Sequence, residues 1–522
     1  MTATAPVPDD ASLPLASARE LASVSRPEWP RYVIGAGVLS YGIFIISAVV
    51  TATFELVEAV PLIAILAYVA YVIARRIGET DRDPWITSFV FAAFWAKMLG
   101  TILRALVTAE VYGNRSDALD YHKWGQFFAP QFRVLDFSNV AGTSGTDFMR
   151  VVTGVVYSFT GASQMSGAVV LSFLSFIGLL LLWRAFKLAV PNGATYRYGV
   201  LVLFLPSFLY WPSALGKEGW AILCLGLAGY GVAKVLTGKV PVGLVLFIAG
   251  LVGVAQLRPH VAITMFCGVL LAAAVGKSQK PGVKASSLRL VLFGALLVGG
   301  LVLVSSTASF FGVPRLDQET INATLQKASG ATSEAGSAFT PVSMTSNPPY
   351  AILTVLFRPL PYEAGSAVAF ASSFEGLFLV VLTVASWRRV RSIGRSMRRQ
   401  PYVAYCMGIT LTFIFAFSAF SNFGILARQR CQVLPFFLVL ICIPVWEREG
   451  EVSTEEAIAG RDQAVPAPGS EYLEPAPDPF GPTGDADPSH APSPDPYPDR
   501  NLDIDPYERF RDPPGPYHHD DG

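Results

Sequence analysis

Twelve runs of about 16–25 apolar residues dominate this chain and constrain its fold more than any other feature. A bilayer core of about 30 Å is crossed by about 20 residues of helix, because only a helix or a closed barrel satisfies every backbone polar group away from water. The runs are 32–52, 57–75, 87–111, 165–183, 198–214, 219–235, 241–257, 260–276, 288–306, 366–387, 402–421 and 431–446. They predict an all-α, polytopic integral membrane protein with about twelve transmembrane helices. Two further apolar stretches, 151–160 and 349–362, are too short or too proline-bracketed to span and read as re-entrant or interfacial pieces. With 52% hydrophobic and 15% charged residues, the chain is far from the roughly 25% charged residues of soluble domains.

Net charge is zero, but it divides sharply along the sequence. From Glu447 onward there are 19 acidic and 5 basic residues, and 15 of the 38 prolines; the preceding 446 residues carry the compensating excess of 14 positive charges. Residues 447–522 therefore read as an acidic, Pro-rich tail. It is too poor in bulky aliphatic residues to offset the entropy of ordering, and so is expected to be disordered. A cytoplasmic partner of this tail is one expectation; a simple solvating role is the other. Residues 1–31 read as a disordered N-terminus without the apolar core of a signal peptide. No basic surface suited to nucleic acid is implied. The five cysteines lie in or beside apolar runs without a CxxC pair, which implies neither a disulfide frame nor a metal site.

Orientation follows from the lysines and arginines of the short loops. Arg75, Arg76 and Arg82; Arg184, Lys187 and Arg197; Lys234 and Lys239; Lys277 to Arg289; and the six arginines of 388–399 all fall in alternate connections. These loops are expected to be cytoplasmic, as are both termini. The transmembrane region 32–446 then exposes two large outer loops, 112–164 and 307–365. The expected location is the cell's inner, or plasma, membrane, with membrane lipids as neighbours.

In this register the polar residues of the membrane part collect at the outer face: Asp117, Asp120 and His122 after the third span; Lys217 and Glu218; Arg258 and His260; Arg358 and Glu363; and Arg428 with Arg430. Charges tethered at membrane depth are costly and normally face a cavity or a partner. The cations Lys217, Arg258, Arg358, Arg428 and Arg430 sit at span ends, where a guanidinium fork suits a phosphate at headgroup level. Each arginine alone has the alternative of snorkelling to headgroups or pairing with an acid. Asp117 and Asp120, at i and i+3, share a helix face and suit a divalent metal or a general base; Asp117 also suits a helix N-cap. His122 completes the catalytic candidates, and Glu218, His260 and Glu363 are supporting groups.

The stretches SDALDY (116–121), PSALGKE (212–218), Arg358–Pro359 and RQR (428–430) resemble motifs of bacterial envelope-glycan enzymes. These are the GT-C-type polyprenyl-phosphate-sugar glycosyltransferases and the O-antigen or exopolysaccharide polymerases. The acidic motif lies in the second outer loop rather than the first, which favours the polymerase-like relatives. The resemblance implies glycosyl transfer from a polyprenyl-(pyro)phosphate-linked donor, with arginines on the phosphate and Asp117 or Asp120 activating the acceptor. A transporter or flippase, and a non-enzymatic scaffold, are the competing classes.

Overall fold

The computed structural model describes residues 26–111, 117–275, 347–365, 367–418, 420 and 422–445. The expected span 288–306, the N-terminal 25 residues and the acidic tail lie outside the described residues.

Among the described residues the fold is helical. The chain runs through α1 (Trp29–Thr51), α2 (Phe54–Asp81), α3 (Pro84–Glu110), α4 (Asp117–Arg133), α5 (Gly145–Thr160) and α6 (Gln164–Ala189). It continues through α7 (Thr195–Phe204), α8 (Pro206–Tyr210), α9 (Lys217–Leu236), α10 (Val240–Leu257), α11 (Pro259–Val275) and α12 (Pro348–Phe357). The last elements are α13 (Ala367–Ala385), α14 (Trp387–Arg391), α15 (Ile393–Arg399), α16 (Pro401–Phe417), α17 (Phe423–Arg430) and α18 (Leu434–Leu440).

Seven of these helices, α1, α2, α3, α6, α9, α10 and α13, are long and apolar enough to cross a membrane. An eighth span is formed if α17 and α18, bent by 64° at residues 431–433, count as one. The chain is therefore a polytopic helical membrane protein. The predicted run 198–214 does not form one straight helix. Leu205 is extended and Pro206, which has no N–H to continue the ladder, starts α8. The stretch 151–160 belongs to α5, which packs on α4 rather than spanning.

Small residues set the helix contacts, as expected where apolar lipid offers no hydrophobic drive. α6 and α9 run parallel, with Gly219 at Leu171, Gly226 at Gly178 and Gly229 at Leu182. α10 returns antiparallel to α9, and the Trp220 indole donates to the Gly253 carbonyl at 3.0 Å. α11 and α16 are also antiparallel, with His260 beside Phe417 and Gly268 against Tyr405. A Cβ at Gly226 would lie 2.2 Å from the Gly178 carbonyl oxygen, and backbone cannot yield there as a side-chain tip can. Gly226→Ala should lower stability by about 1–3 kcal/mol, read as a lower thermal unfolding midpoint of the purified protein; an unchanged midpoint would contradict this packing.

These pairings give the bundle two ends. One end gathers α4, α5, the starts of α2, α6 and α9, and the ends of α10 and α16. The other gathers the basic connections. There Asp81 pairs with Arg184 and Lys187, Arg197 donates to Ser386, Gln400 to the Pro191 carbonyl and Arg389 to the Ile443 carbonyl. α1 and α2 expose Leu39, Ile46, Val49, Ile65 and Tyr68, an apolar surface suited to lipid.

Candidate functional site

Glu218 lies in the first turn of α9, where the helix dipole favours a carboxylate. It is almost completely buried and holds two guanidinium groups. Arg258, between α10 and α11, donates from Nη2 to Oε1 at 2.6 Å. Arg428, near the end of α17, donates side-on: Nε to Oε1 at 2.7 Å and Nη2 to Oε2 at 3.0 Å. Arg428 Nη1 reaches Asp117 Oδ2 at 3.2 Å, tying in α4. Beside Glu218, Lys217 donates from Nζ to Thr146 Oγ1 at 2.9 Å on α5.

Five sequence-derived candidates thus share one cluster: Asp117, Lys217, Glu218, Arg258 and Arg428. Its three cations exceed its two carboxylates by one charge. Arg258 Nη1 is buried without a hydrogen-bond partner among the described residues. Such an N–H is costly unless something fills the position. Buried Tyr121 lies within the field of this cluster. Burial, reinforced by Asp117, raises its phenol well above the ordinary value, so the hydroxyl stays protonated.

The remaining candidates are placed elsewhere. Asp120 is one turn from Asp117 but is gripped by Arg150, whose Nε and Nη2 each lie 2.9 Å from a carboxylate oxygen. Arg150 also bonds Asp147 at 2.6 Å and stacks over Trp124. The two aspartates therefore serve different arginines, and no group of three metal-ligating side chains occurs among the described residues. His122 Nδ1 is 2.8 Å from the Tyr157 hydroxyl, and Nε2 is 4.0 Å from Glu55. Burial holds its pKa below the ordinary histidine value, against the opposing pull of Glu55. His260 packs against Phe417 in the first turn of α11.

Arg358 and Arg430 form a second group. Glu363, returned by the Pro361–Glu363 turn, accepts from Arg358 Nε at 2.8 Å and from Nη2. Burial pushes the Glu363 carboxyl upward, but Arg358 and the Leu360 amide outweigh it and hold the pKa below the ordinary value. Arg358 also donates to the Tyr350 hydroxyl at 2.7 Å and lies over the Phe423 ring. Arg430 is completely buried and donates from Nη1 to the carbonyls of Leu356 and Arg358 at 3.2 and 3.0 Å. The two groups meet through α17, with Phe423 under Arg358 at one end and Arg428 at the other.

Arg150, Thr146, Asp147 and Tyr157 were not among the sequence candidates. Arg150 precedes an apolar run, and its partner Asp120 is thirty residues earlier, a pairing without a local sequence signal. No family model, curated protein or solved structure matches the chain.

Proposed function

We propose that the chain is a multi-pass enzyme of the plasma membrane, with about twelve spans and both termini cytoplasmic. It transfers a sugar or oligosaccharide from a polyprenyl-(pyro)phosphate carrier at the extracytoplasmic face. The observation that supports this most is the pair of arginines, Arg258 and Arg428, held together by buried Glu218 at the bundle end opposite the basic connections. Lys217 and the partly exposed guanidinium of Arg428 receive the phosphate, and buried Arg258 backs them through Glu218.

In the transfer step the acceptor oxygen attacks the anomeric carbon and gives its proton to Asp117. The carbon–oxygen bond to phosphate breaks, and its electron pair leaves with the phosphate. Asp117 suits the base because its side chain is 61% exposed and, among the described residues, bonds one guanidinium nitrogen at 3.2 Å. Asp120, held at both oxygens by Arg150, orients α4 against α5.

Asp117→Asn should lower transfer by roughly 100-fold or more, and Asp120→Asn by less than about tenfold. The assay uses membranes supplied with a polyprenyl-diphosphate-linked sugar. Normal transfer by both variants would remove the enzymatic reading. A flippase is the second reading, favoured by the α7–α8 break, where buried Glu375 and Lys97 bond Ser207 and Phe208. Donor that crosses proteoliposome membranes intact, with no new glycosidic bond, would select it.

A further inference from the structure

The face that α13, α14 and α15 turn outward plays no part in the transfer chemistry above. Along α13 exposed apolar positions recur every three or four residues: Phe374, Leu377, Val381 and Val384, the last two 58% and 68% exposed. The same repeat continues past the end of the span, and there each position is arginine: Arg388, Arg391, Arg395 and Arg398, all exposed. Steps of three and four residues keep side chains on one face of a helix. Helical hydrogen bonds carry the repeat through the joints. The Ser386 amide donates to the Leu382 carbonyl at 3.0 Å, Val390 to Ser386 at 3.0 Å, and Ser396 to Ser392 at 2.9 Å. The inward positions Leu379, Ser386, Ser392, Ser396 and Gln400 are buried.

This segment is held to the bundle by groups that leave the arginine row outside. Arg197 donates to Ser386, Arg389 to the Ile443 carbonyl, and Gln400 to the Pro191 carbonyl at 3.2 Å. The sequence 376–446 contains no acidic residue. The 19 residues of α13 make about 28 Å of helix, close to the roughly 30 Å of a bilayer core, so the arginines emerge at headgroup level. Trp387, 55% exposed, stands at the boundary, where indoles concentrate. Apolar surface followed by guanidinium groups along one stripe matches an amphiphile in order and in length. A soluble anion would use the arginines alone, whereas a phospholipid uses both halves.

We propose that this stripe binds a phospholipid with an anionic headgroup, its acyl chains along Phe374 to Val384 and its phosphate among Arg388, Arg391, Arg395 and Arg398. A guanidinium fork takes two phosphate oxygens, and a zwitterionic headgroup, which carries its own cation, gains less from the row. The surface lies at the basic end of the bundle, away from the rim cluster, and is independent of the proposed function.

The test is native mass spectrometry of the full chain in neutral detergent, titrated with phosphatidylglycerol, with phosphatidylcholine of the same chains, and with chain-free glycerol phosphate. Phosphatidylglycerol should bind in preference to both others. Neutralising each arginine should weaken it roughly fivefold, so Arg391→Gln, Arg395→Gln and Arg398→Gln together should weaken it on the order of 100-fold. The single variants Arg391→Gln and Arg398→Gln carry the test if the triple variant fails to fold. A charge-matched triple at the other basic connections, Arg76→Gln, Arg82→Gln and Lys239→Gln, should change it less than about twofold. An equal loss in that control would reduce the effect to net charge and overturn the stripe. Equal uptake of phosphatidylcholine, or glycerol phosphate binding as tightly as the lipid, would overturn it as well. Uptake that appears only after residues 450–522 are deleted would assign the surface to the acidic tail instead.

Discussion

Replacing Glu218 with Ala is expected to destabilise the protein by about 3–5 kcal/mol, the largest stability effect of any single change at the rim. The substitution removes the one carboxylate shared by Arg258 and Arg428. Arg258 is 93% buried by its 7% exposure, and it would be left as an unpaired charge. Among the described residues, Arg428 would keep its 3.2 Å side-chain contact to Asp117. Glu218→Gln preserves the shape and one acceptor oxygen, so its loss should be smaller. Thermal unfolding of the two variants in the same detergent reads the difference. Equal midpoints for wild type and Glu218→Ala would mean that the carboxylate does not hold the guanidiniums in place.

The largest effect on activity is expected at Arg428. Removing a preorganised charge from the atoms that receive a leaving group costs about 100- to 1000-fold in rate. Arg428→Ala should lower transfer by that order, with little loss of stability, because Glu218 retains its 2.6 Å contact to Arg258. Arg428→Lys should fall between, keeping the charge without the side-on fork. The contrast with Glu218→Ala separates support of the cluster from contact with the donor: one variant loses fold and activity together, the other activity alone. Transfer at wild-type rates in Arg428→Ala would place the leaving group elsewhere.

The helices were legible because membrane depth leaves the backbone so few solutions. α1, α2, α3, α6, α9, α10 and α13 all lie where long apolar runs predict them. The breaks were less legible. Pro206 and Pro435 are visible in the sequence, but a proline can kink a span as readily as divide it, so neither fixes the α7–α8 break or the 64° bend at residues 431–433. The stretch 151–160, too short to span and expected as a re-entrant or interfacial piece, lies in α5; its packing on α4 depends on Gly125 and Gly154, whose lack of side chains lets Tyr157 and Phe128 approach.

The site was legible as residue types and not as pairings. Short loops at one end of the bundle must bring Lys217, Glu218, Arg258 and Arg428 near the same surface, so their convergence follows from topology. Which carboxylate each arginine takes does not. Arg358 shares the chemistry of Arg428, yet Glu363 five residues away claims it first. Asp120 has the helical spacing to act with Asp117, yet Arg150 on α5 turns it aside. Such choices depend on tertiary distances of an ångström or two, and sequence spacing carries no record of them.

As proposed, the charged cluster and the basic connections occupy opposite membrane faces, with the cluster outside. Cysteine substitution at Leu119, 40% exposed on α4, and at Trp387, 55% exposed on α14, tests it most directly. Four of the five native cysteines are buried and Cys267 is half-buried, so background labelling should be low. With a membrane-impermeant maleimide on intact cells, Leu119→Cys should label at once and Trp387→Cys only after permeabilisation. Labelling at 387 from outside, or silence at 119 in a properly inserted protein, would contradict this orientation.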